Sequence, residues 1–222
     1  MDWSGEWWVL ILGPGLVILV AGILYFTRSR AFRFRSSAAQ LELMALQGLN
    51  PISDEDKKGF NLFSRASGGK ITNLFGDRAN LPSRLLFDFA DSFGSARDGE
   101  KGQTVAAFAA PTDGIPNFQM ISARTLEGAP LSPGPPPIRF DSHPDFGRRY
   151  VLRAGDETAI RAFFNFSFLD RLKGSDSEAE WSVEKAGRWL LVYRHNQFFA
   201  PDEIPESWQR AQALANPFLE PH

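Results

Sequence analysis

The chain of 222 residues contains no cysteine and only three histidines: His143, His195 and His222. The absence of cysteine excludes disulfides and thiolate metal or redox sites, and nothing in the sequence indicates an oxidising compartment. No two histidines have a metal-ligand spacing such as H-E-x-x-H. The sequence therefore predicts neither a metal ion nor a cofactor.

Motifs that would mark a nucleophile or a phosphate site are also missing. There is no G-x-S-x-G elbow, although a Ser-His-Asp triad stays open because its members need not be adjacent in sequence. Ser67 to Lys70 resembles a phosphate loop, but Ile71 occupies its Ser/Thr position and Ser64 its first glycine position. We therefore predict no catalytic, cofactor-binding or metal-ligating residue.

An excess of positive charge is lacking as well. Residues 37–222 carry 20 basic and 24 acidic side chains. A domain that binds nucleic acid needs a basic face, so we expect no nucleic-acid partner. Phenylalanine is common instead, at 20 copies, which predicts a core packed with aromatic rings.

One long stretch contains no charge at all. Residues Trp7 to Phe26 are 20 consecutive uncharged, mostly apolar residues, and a helix of that length reaches ~30 Å, the thickness of the hydrocarbon core of a bilayer. A single segment can cross the bilayer only as a helix, because its backbone groups must be satisfied internally. The stretch therefore predicts one transmembrane helix in contact with the lipid bilayer.

The flanks of this stretch predict its orientation. Asp2 and Glu6 precede it, and a cluster of four arginines follows it. Cytoplasmic flanks collect basic residues, so we expect the N-terminus outside and the C-terminal domain in the cytoplasm. The same cluster predicts contact with anionic lipid; it consists of Arg28, Arg30, Arg33 and Arg35.

Beyond the span, period-2 alternation predicts strands over 69–75, 83–90, 103–109 and 118–121. Short connections favour an antiparallel sheet. The proline-rich stretch 128–137 cannot enter a sheet or a helix interior and is the best candidate for a subdomain boundary.

The second half predicts strands over 138–140 and 150–153 and a C-terminal helix over 201–214. Its clearest strand pair is the hairpin from Trp181 to Tyr193, with a turn at Ala186–Gly187. The predicted organisation begins with a short extracytoplasmic tail (1–6), a transmembrane helix (7–26) and a basic juxtamembrane segment with a short helix (27–58). A strand-rich first half of the soluble domain (59–127), a Pro-rich connection (128–137) and a second half with a central helix, a hairpin and a C-terminal helix (138–222) follow.

A helix from Asp156 to Leu172 is predicted between these strands, because apolar residues recur there at helical spacing and Asp156 is a favourable N-cap. Phe164, Phe166 and Phe168 also alternate, so a strand stays open at that point. The fold class expected from all segments is α+β: one N-terminal transmembrane helix followed by a mainly antiparallel-sheet domain with a few packed helices.

Asp88 is the carboxylate of most interest, because it lies between Phe87 and Phe89. Alternation predicts that its neighbours point inward while Asp88 points to solvent. If its face of the sheet were covered, it would have to pair, with Arg84 or Arg97, or shift its pKa.

Several aromatic strands and glycine turns together resemble a known group of proteins. The segments FNLF, NLFGD, LLFDF, QTVAAF and IPNFQM come first, followed by RYVLRAGDETAIRAFF and WSVEKAGRWLLVYR. Between residues 60 and 194 they resemble an uncharacterised family of bacterial single-pass inner-membrane proteins with a cytosolic α+β domain. The resemblance implies a bacterial inner-membrane location and no activity, so it assigns no functional residue.

These observations favour a membrane-anchored, non-catalytic interaction or sensing module with a protein partner of unknown identity. The alternative is a membrane-anchored enzyme of unrecognised type, with His195, Arg194 or Asp88 in a cleft of the cytosolic domain. Neither His143 nor His195 has a sequence neighbour expected to orient it as a base, so we predict that no single histidine carries the function.

The orientation gives the first testable prediction. A reporter enzyme that is active only outside the cytoplasm, fused after His222, is expected to be silent, because the arginine cluster retains the C-terminal domain in the cytoplasm. A cytoplasmic reporter at the same position is the control and should be active. Strong activity of the first reporter would reverse the orientation.

Overall fold

The computed structural model describes residues 44–45, 48–52, 70–77, 83–90, 102–111, 114–126, 134–172 and 180–220. Within these residues no helix has both the length and the apolar character needed to cross a membrane. The predicted span, the arginine cluster and Arg97 lie outside the described residues.

Eight strands and four α-helices form the described part of the chain. The strands are β1 (Asn50–Pro51), β2 (Lys70–Gly76), β3 (Arg84–Ala90), β4 (Gly102–Ala109), β5 (Phe118–Ser122), β6 (Tyr150–Arg153), β7 (Trp181–Ala186) and β8 (Trp189–Arg194). The helices are α1 (Pro144–Arg149), α2 (Glu157–Phe163), α3 (Phe166–Arg171) and α4 (Ile204–Leu219), with 3₁₀ turns at Arg124–Leu126 and Pro201–Glu203.

All eight strands belong to one sheet, in the order β1-β2-β3-β4-β8-β7-β5-β6. Every pairing is antiparallel, which confirms the α+β class with a mainly antiparallel sheet. The order interleaves the two halves of the sequence. Strand β4 pairs with β8, and β5 lies between β6 and β7, so strands from both sides of the proline-rich stretch share the sheet.

Local sequence patterns located most strands within a residue or two. Strand β6 covers the predicted residues, and the β7–β8 hairpin turns at Gly187, whose φ of 57° is left-handed. The predicted strand over 138–140 is wrong as a strand, because only Ile138 forms an isolated bridge, to Leu152. This bridge covers part of the outer edge of β6, where the N–H of Ile138 donates to the carbonyl of Leu152 at 2.8 Å.

The predicted single helix over 156–172 is wrong in its continuity. Asp156 does cap it, accepting from the N–H of Ala159 at 2.9 Å. Helix α2 ends at Phe163, and its C-cap Phe164 has a ψ of 52°, which departs from helical values. Asn165 then caps α3 by accepting from the N–H of Phe168 at 3.0 Å. The break arises because an Asn side chain competes for backbone amides and starts a new helix.

All four helices pack on one side of the sheet, which we call the helix face. Its aromatic core includes Phe118, which meets Phe164 edge-on at 5.1 Å and Phe218 stacked at 5.5 Å between ring centroids. Phe108 of β4 contacts Trp208 of α4 at 5.3 Å. The expected aromatic core is therefore present, and it anchors α1, α2, α3 and α4 to the sheet.

The opposite side of the sheet, which we call the second face, is also apolar and buried. Its cluster contains Ile52, Leu74, Leu85, Phe87, Phe89, Val105, Ala107, Ala186, Trp189, Leu191 and Tyr193. Strands β3 and β4 are thus buried on both sides. A polar side chain on either side of these strands must find an internal hydrogen bond.

Gly102 allows two segments to approach closely at the start of β4. A Cβ atom there would lie 2.6 Å from the backbone oxygen of Phe89 and 2.4 Å from Cζ of Phe198. Backbone atoms of a paired strand cannot move aside without disturbing the ladder, so only glycine fits at this position.

The substitution Gly102→Ala is therefore expected to lower the free energy of unfolding by about 1–3 kcal/mol, the usual cost of overpacking. Thermal unfolding of the purified chain measures this loss. Gly155→Ala is the matched control, because nothing lies within 4 Å of its Cβ position. Equal melting temperatures for the two variants would contradict the steric argument.

Asp77 closes the connection between β2 and β3. Its Oδ1 accepts from the backbone N–H of Ser83 at 2.8 Å and of Arg84 at 3.1 Å, and its Oδ2 accepts from Ser83 Oγ. Burial acts to raise the pKa of Asp77, but the hydrogen bonds from Ser83 and Arg84 and the Arg84 charge outweigh it and lower the pKa.

Because the pKa of Asp77 is lower in the folded state, the stability that its carboxylate contributes to the fold depends on pH. It is fully present above the unfolded pKa and is lost as the pH falls through the lowered folded value. Asp77→Asn should therefore cost about 1–2 kcal/mol at pH 7, and the difference from wild type should shrink below pH ~4. Urea unfolding across this pH range measures both effects.

The matched control is Asp145→Asn, since Asp145 pairs with Arg148 at 2.9 Å on the exposed surface of α1. Such exposed ion pairs contribute little to the free energy of unfolding. A constant difference between Asp77→Asn and wild type from pH 7 down to pH 3 would show that the charge of Asp77 is not involved.

Candidate functional site

The first candidate site lies where the chain enters α1. Ser142 and His143 immediately precede this helix, and Asp170 lies near the end of α3. Ser142 Oγ is 2.9 Å from His143 Nδ1, and His143 Nε2 is 3.2 Å from Asp170 Oδ1. The three side chains thus form one continuous hydrogen-bonded chain across two helices.

The three side chains of this hydrogen-bonded chain differ in their exposure to solvent. His143 is only 5% exposed, whereas Ser142 is exposed and Asp170 is half-buried. A carboxylate only accepts hydrogen bonds, so Asp170 selects the imidazole tautomer that carries its proton on Nε2. Nδ1 is then the acceptor, and it faces the Ser142 hydroxyl.

An exposed aromatic ring adjoins this chain. Phe166 is 63% exposed. Among the described residues, it is the one large hydrophobic side chain that is exposed to solvent. Its ring meets the His143 ring edge-on at 4.7 Å between centroids. Because Asn165 caps α3 immediately before it, Phe166 is held at a fixed helix start.

The second candidate site surrounds Asp88. The prediction that Asp88 points to solvent is wrong, because it is 1% exposed. Alternation does place it opposite Phe87 and Phe89, but that side is the helix face, which is buried too. Thr104 Oγ1 donates to Asp88 Oδ1 at 2.8 Å, and Asn73 Nδ2 donates to Oδ2 at 2.9 Å.

A bulge in β2 brings Asn73 to this carboxylate. The register of β2 with β3 shifts between Thr72 and Phe75, and Asn73 has a left-handed φ of 51°. Asn is among the few non-glycine residues that adopt this conformation readily. Arg84, one of the two partners considered for a covered Asp88, pairs instead with Asp77, with its Nε 3.5 Å from Asp77 Oδ2.

Thr104 links this network to the segment that follows β8. Its hydroxyl accepts from the N–H of Phe199 at 2.9 Å, while its own N–H donates to the carbonyl of Gln197 at 3.0 Å. Asp88 and Thr104 face each other in the register of β3 and β4. The arrangement satisfies buried groups and fastens residues 197–199 over the sheet.

The remaining residues of the predicted enzyme cleft do not join Asp88. His195 is exposed just beyond β8. Arg194 pairs with Glu180 Oε2 at 2.6 Å, and its guanidinium lies 5.2 Å from the Trp181 ring centroid. Asp88 is therefore enclosed, while His195 is exposed and Arg194 is half-buried.

Lys185 is a buried basic group that the sequence analysis did not single out. It lies in β7, almost fully buried, and Nζ donates to the carbonyl of Gly187. Burial lowers the pKa of Lys185. Strand alternation places Lys185 on the same side of β7 as Trp181 and Val183, and that position is the signal that could have identified it.

His143, like His195, was expected to have no neighbour that orients it as a base. The structure places Ser142 and Asp170 on its two ring nitrogens. Ser142 was visible in the sequence, but Asp170 lies 27 residues further on. Only the tertiary fold brings it to the histidine, so spacing rules could not reveal the chain.

Comparisons with known proteins add nothing to this geometry. No family model, no curated protein and no solved structure matches the chain. Within the ranges that the structure describes, no group of three or more His, Asp or Glu residues is arranged to hold a metal ion.

The Asp88 network predicts the effect of removing its central hydroxyl. Thr104→Val takes one hydrogen bond from Asp88 and one from the Phe199 amide while retaining the shape of the side chain. We expect a loss of about 2–4 kcal/mol in the free energy of unfolding, measured by urea titration. Thr104→Ser keeps the hydroxyl and should stay within ~1 kcal/mol of wild type; similar losses in both variants would contradict the network.

Proposed function

We propose that the protein is a membrane-anchored interaction or sensing module that binds a protein partner through the surface around Phe166. Residues Trp7 to Phe26 would cross the inner membrane, and the arginine cluster at 28–35 would contact anionic lipid. Both expectations come from the sequence, which has 20 uncharged residues followed by a basic flank. The described domain would then lie in the cytoplasm.

The exposure of Phe166 is the observation that carries the docking role. A large aromatic ring at 63% exposure contrasts with the buried rings of Phe163, Phe164 and Phe168 on either side of it in the sequence. Aromatic residues on a rigid support are favoured as anchors of protein interfaces, because they bury a large area at low entropic cost. His143 and the Asn165 cap provide such a support.

The Asp88 network favours this function over an enzyme built on Asp88. Both carboxylate oxygens are engaged by Thr104 and Asn73, and the residue is closed to solvent. A carboxylate that serves as a general base has to reach the proton of a substrate. Asp88 is placed instead to hold β2, β3 and β4 together.

A photocrosslinking amino acid placed at position 166 tests the proposal in intact membranes. A partner that docks there should give a discrete adduct of defined mass after irradiation. The matched position is 209, because Gln209 is also exposed and lies on α4. We expect the adduct from 166 and not from 209.

Phe166→Ser should remove most of the contact with the partner. Because position 166 then carries serine, the yield of the adduct is measured with the photocrosslinking amino acid at a neighbouring exposed position of α3. Ala162→Ser is its control, since Ala162 is exposed on α2. The proposal fails if position 166 gives no adduct, or if positions 166 and 209 give the same set.

A further inference from the structure

The order of the Ser142, His143 and Asp170 side chains matches what nucleophilic catalysis requires. A hydroxyl within hydrogen-bond reach of an imidazole, which is in turn oriented by a carboxylate, is the recurring arrangement of activated serine nucleophiles. Here the two distances are 2.9 Å and 3.2 Å. We propose that Ser142 is the nucleophile of a carboxylic-ester hydrolase centre, with His143 as its general base and Asp170 as the positioning carboxylate.

The imidazole tautomer in the Ser142–His143–Asp170 hydrogen-bonded chain is the one that lets His143 act as a base toward Ser142. Asp170 accepts from Nε2–H and leaves the lone pair of Nδ1 directed at Ser142 Oγ. The common serine triads use the two nitrogens in the opposite sense, but either nitrogen of an imidazole can accept the hydroxyl proton when the other carries the ring proton. His143 is therefore poised to remove the hydroxyl proton.

Burial separates the roles of the two catalytic residues. His143 is shielded from bulk water, while Ser142 is exposed and accessible to a substrate. The imidazolium that forms during the reaction would face the Asp170 carboxylate. An opposite charge 3.2 Å from Nε2 would stabilise the positive charge that develops on His143.

Phe166 indicates the substrate class. Its exposed ring packs against His143 and offers an apolar surface next to the reacting groups. An ester with an apolar or aromatic acyl group could rest on this ring while its carbonyl carbon approaches Ser142 Oγ. The expected substrates are therefore small carboxylic esters with an apolar acyl group.

The reaction balances with an ester and water alone. Ser142 Oγ attacks the carbonyl carbon as its proton passes to His143 Nδ1. The C–O bond to the alcohol breaks, and the leaving oxygen takes that proton. Water then attacks the acyl-serine and gives a proton to His143, which returns it to Ser142 Oγ as the carboxylic acid leaves.

This activity goes beyond the proposed docking role, which needs no chemistry at Ser142. The experiment treats the full chain in membranes with an alkyl fluorophosphonate, which phosphonylates activated serines, and locates the adduct by peptide mass spectrometry. We expect modification of Ser142 that is abolished in Ser142→Ala. Ser207→Ala is the matched control, since Ser207 lies on α4, and it should label like wild type.

The rate of labelling tests the role of the base. His143→Gln should slow it ~100-fold or more, and Asp170→Asn should slow it at least ~10-fold. The labelling rate is measured across a pH series, and the slope of the wild-type profile should vanish in His143→Gln. A merely structural histidine would not change the pH profile.

Folding of each variant is checked by its melting curve, and hydrolysis of p-nitrophenyl butyrate by wild type and Ser142→Ala gives an independent readout. The proposal is overturned if Ser142 is not labelled, or if folded His143→Gln labels at the wild-type rate. Crosslinking at position 166 that persists in Ser142→Ala would show that docking and chemistry are separate properties.

Discussion

The pairing of β4 with β8 is the contact on which the rest of the structure depends. Val105 to Ala109 of the first half meet Tyr193 to Trp189 of the second half in antiparallel register. Without this ladder the sheet would separate into two smaller sheets, β1–β4 and β5–β8, and neither face would remain continuous. Its central position explains why β4 is buried along nearly its whole length, on both the helix face and the second face.

A sheet that is buried on both sides restricts its polar residues. Asp88 and Thr104 lie opposite each other on β3 and β4, with no side of the sheet open to water at that point. The structure satisfies them by a bulge that carries Asn73 and by the segment that returns over β4 to Phe199. Their network therefore acts as a structural fastener, because each group that it satisfies would otherwise weaken the core.

The surface around α1 and α3 is organised differently. There a buried histidine connects an exposed serine to a partly exposed carboxylate, and an exposed phenylalanine packs on the same imidazole. These side chains stand on short helices fixed to the aromatic core through Phe146 and Phe168. A rigid platform of this kind suits both partner docking and a reacting hydroxyl, since both need side chains held in fixed positions.

The amino-acid sequence by itself determined the features that depend on near neighbours. Alternation located β3, β6 and the β7–β8 hairpin, and Asp156 was a visible helix cap, because strand periods, turn residues and caps act within a few residues. It also determined the long uncharged stretch and the basic flank that predict a membrane anchor. Tertiary structure alone decided that β4 meets β8, that the side of the sheet bearing Asp88 is covered, and that Asp170 reaches His143. Those contacts join residues 27 or more positions apart, and they form because separate elements bury their apolar faces against a common sheet, which no local pattern encodes.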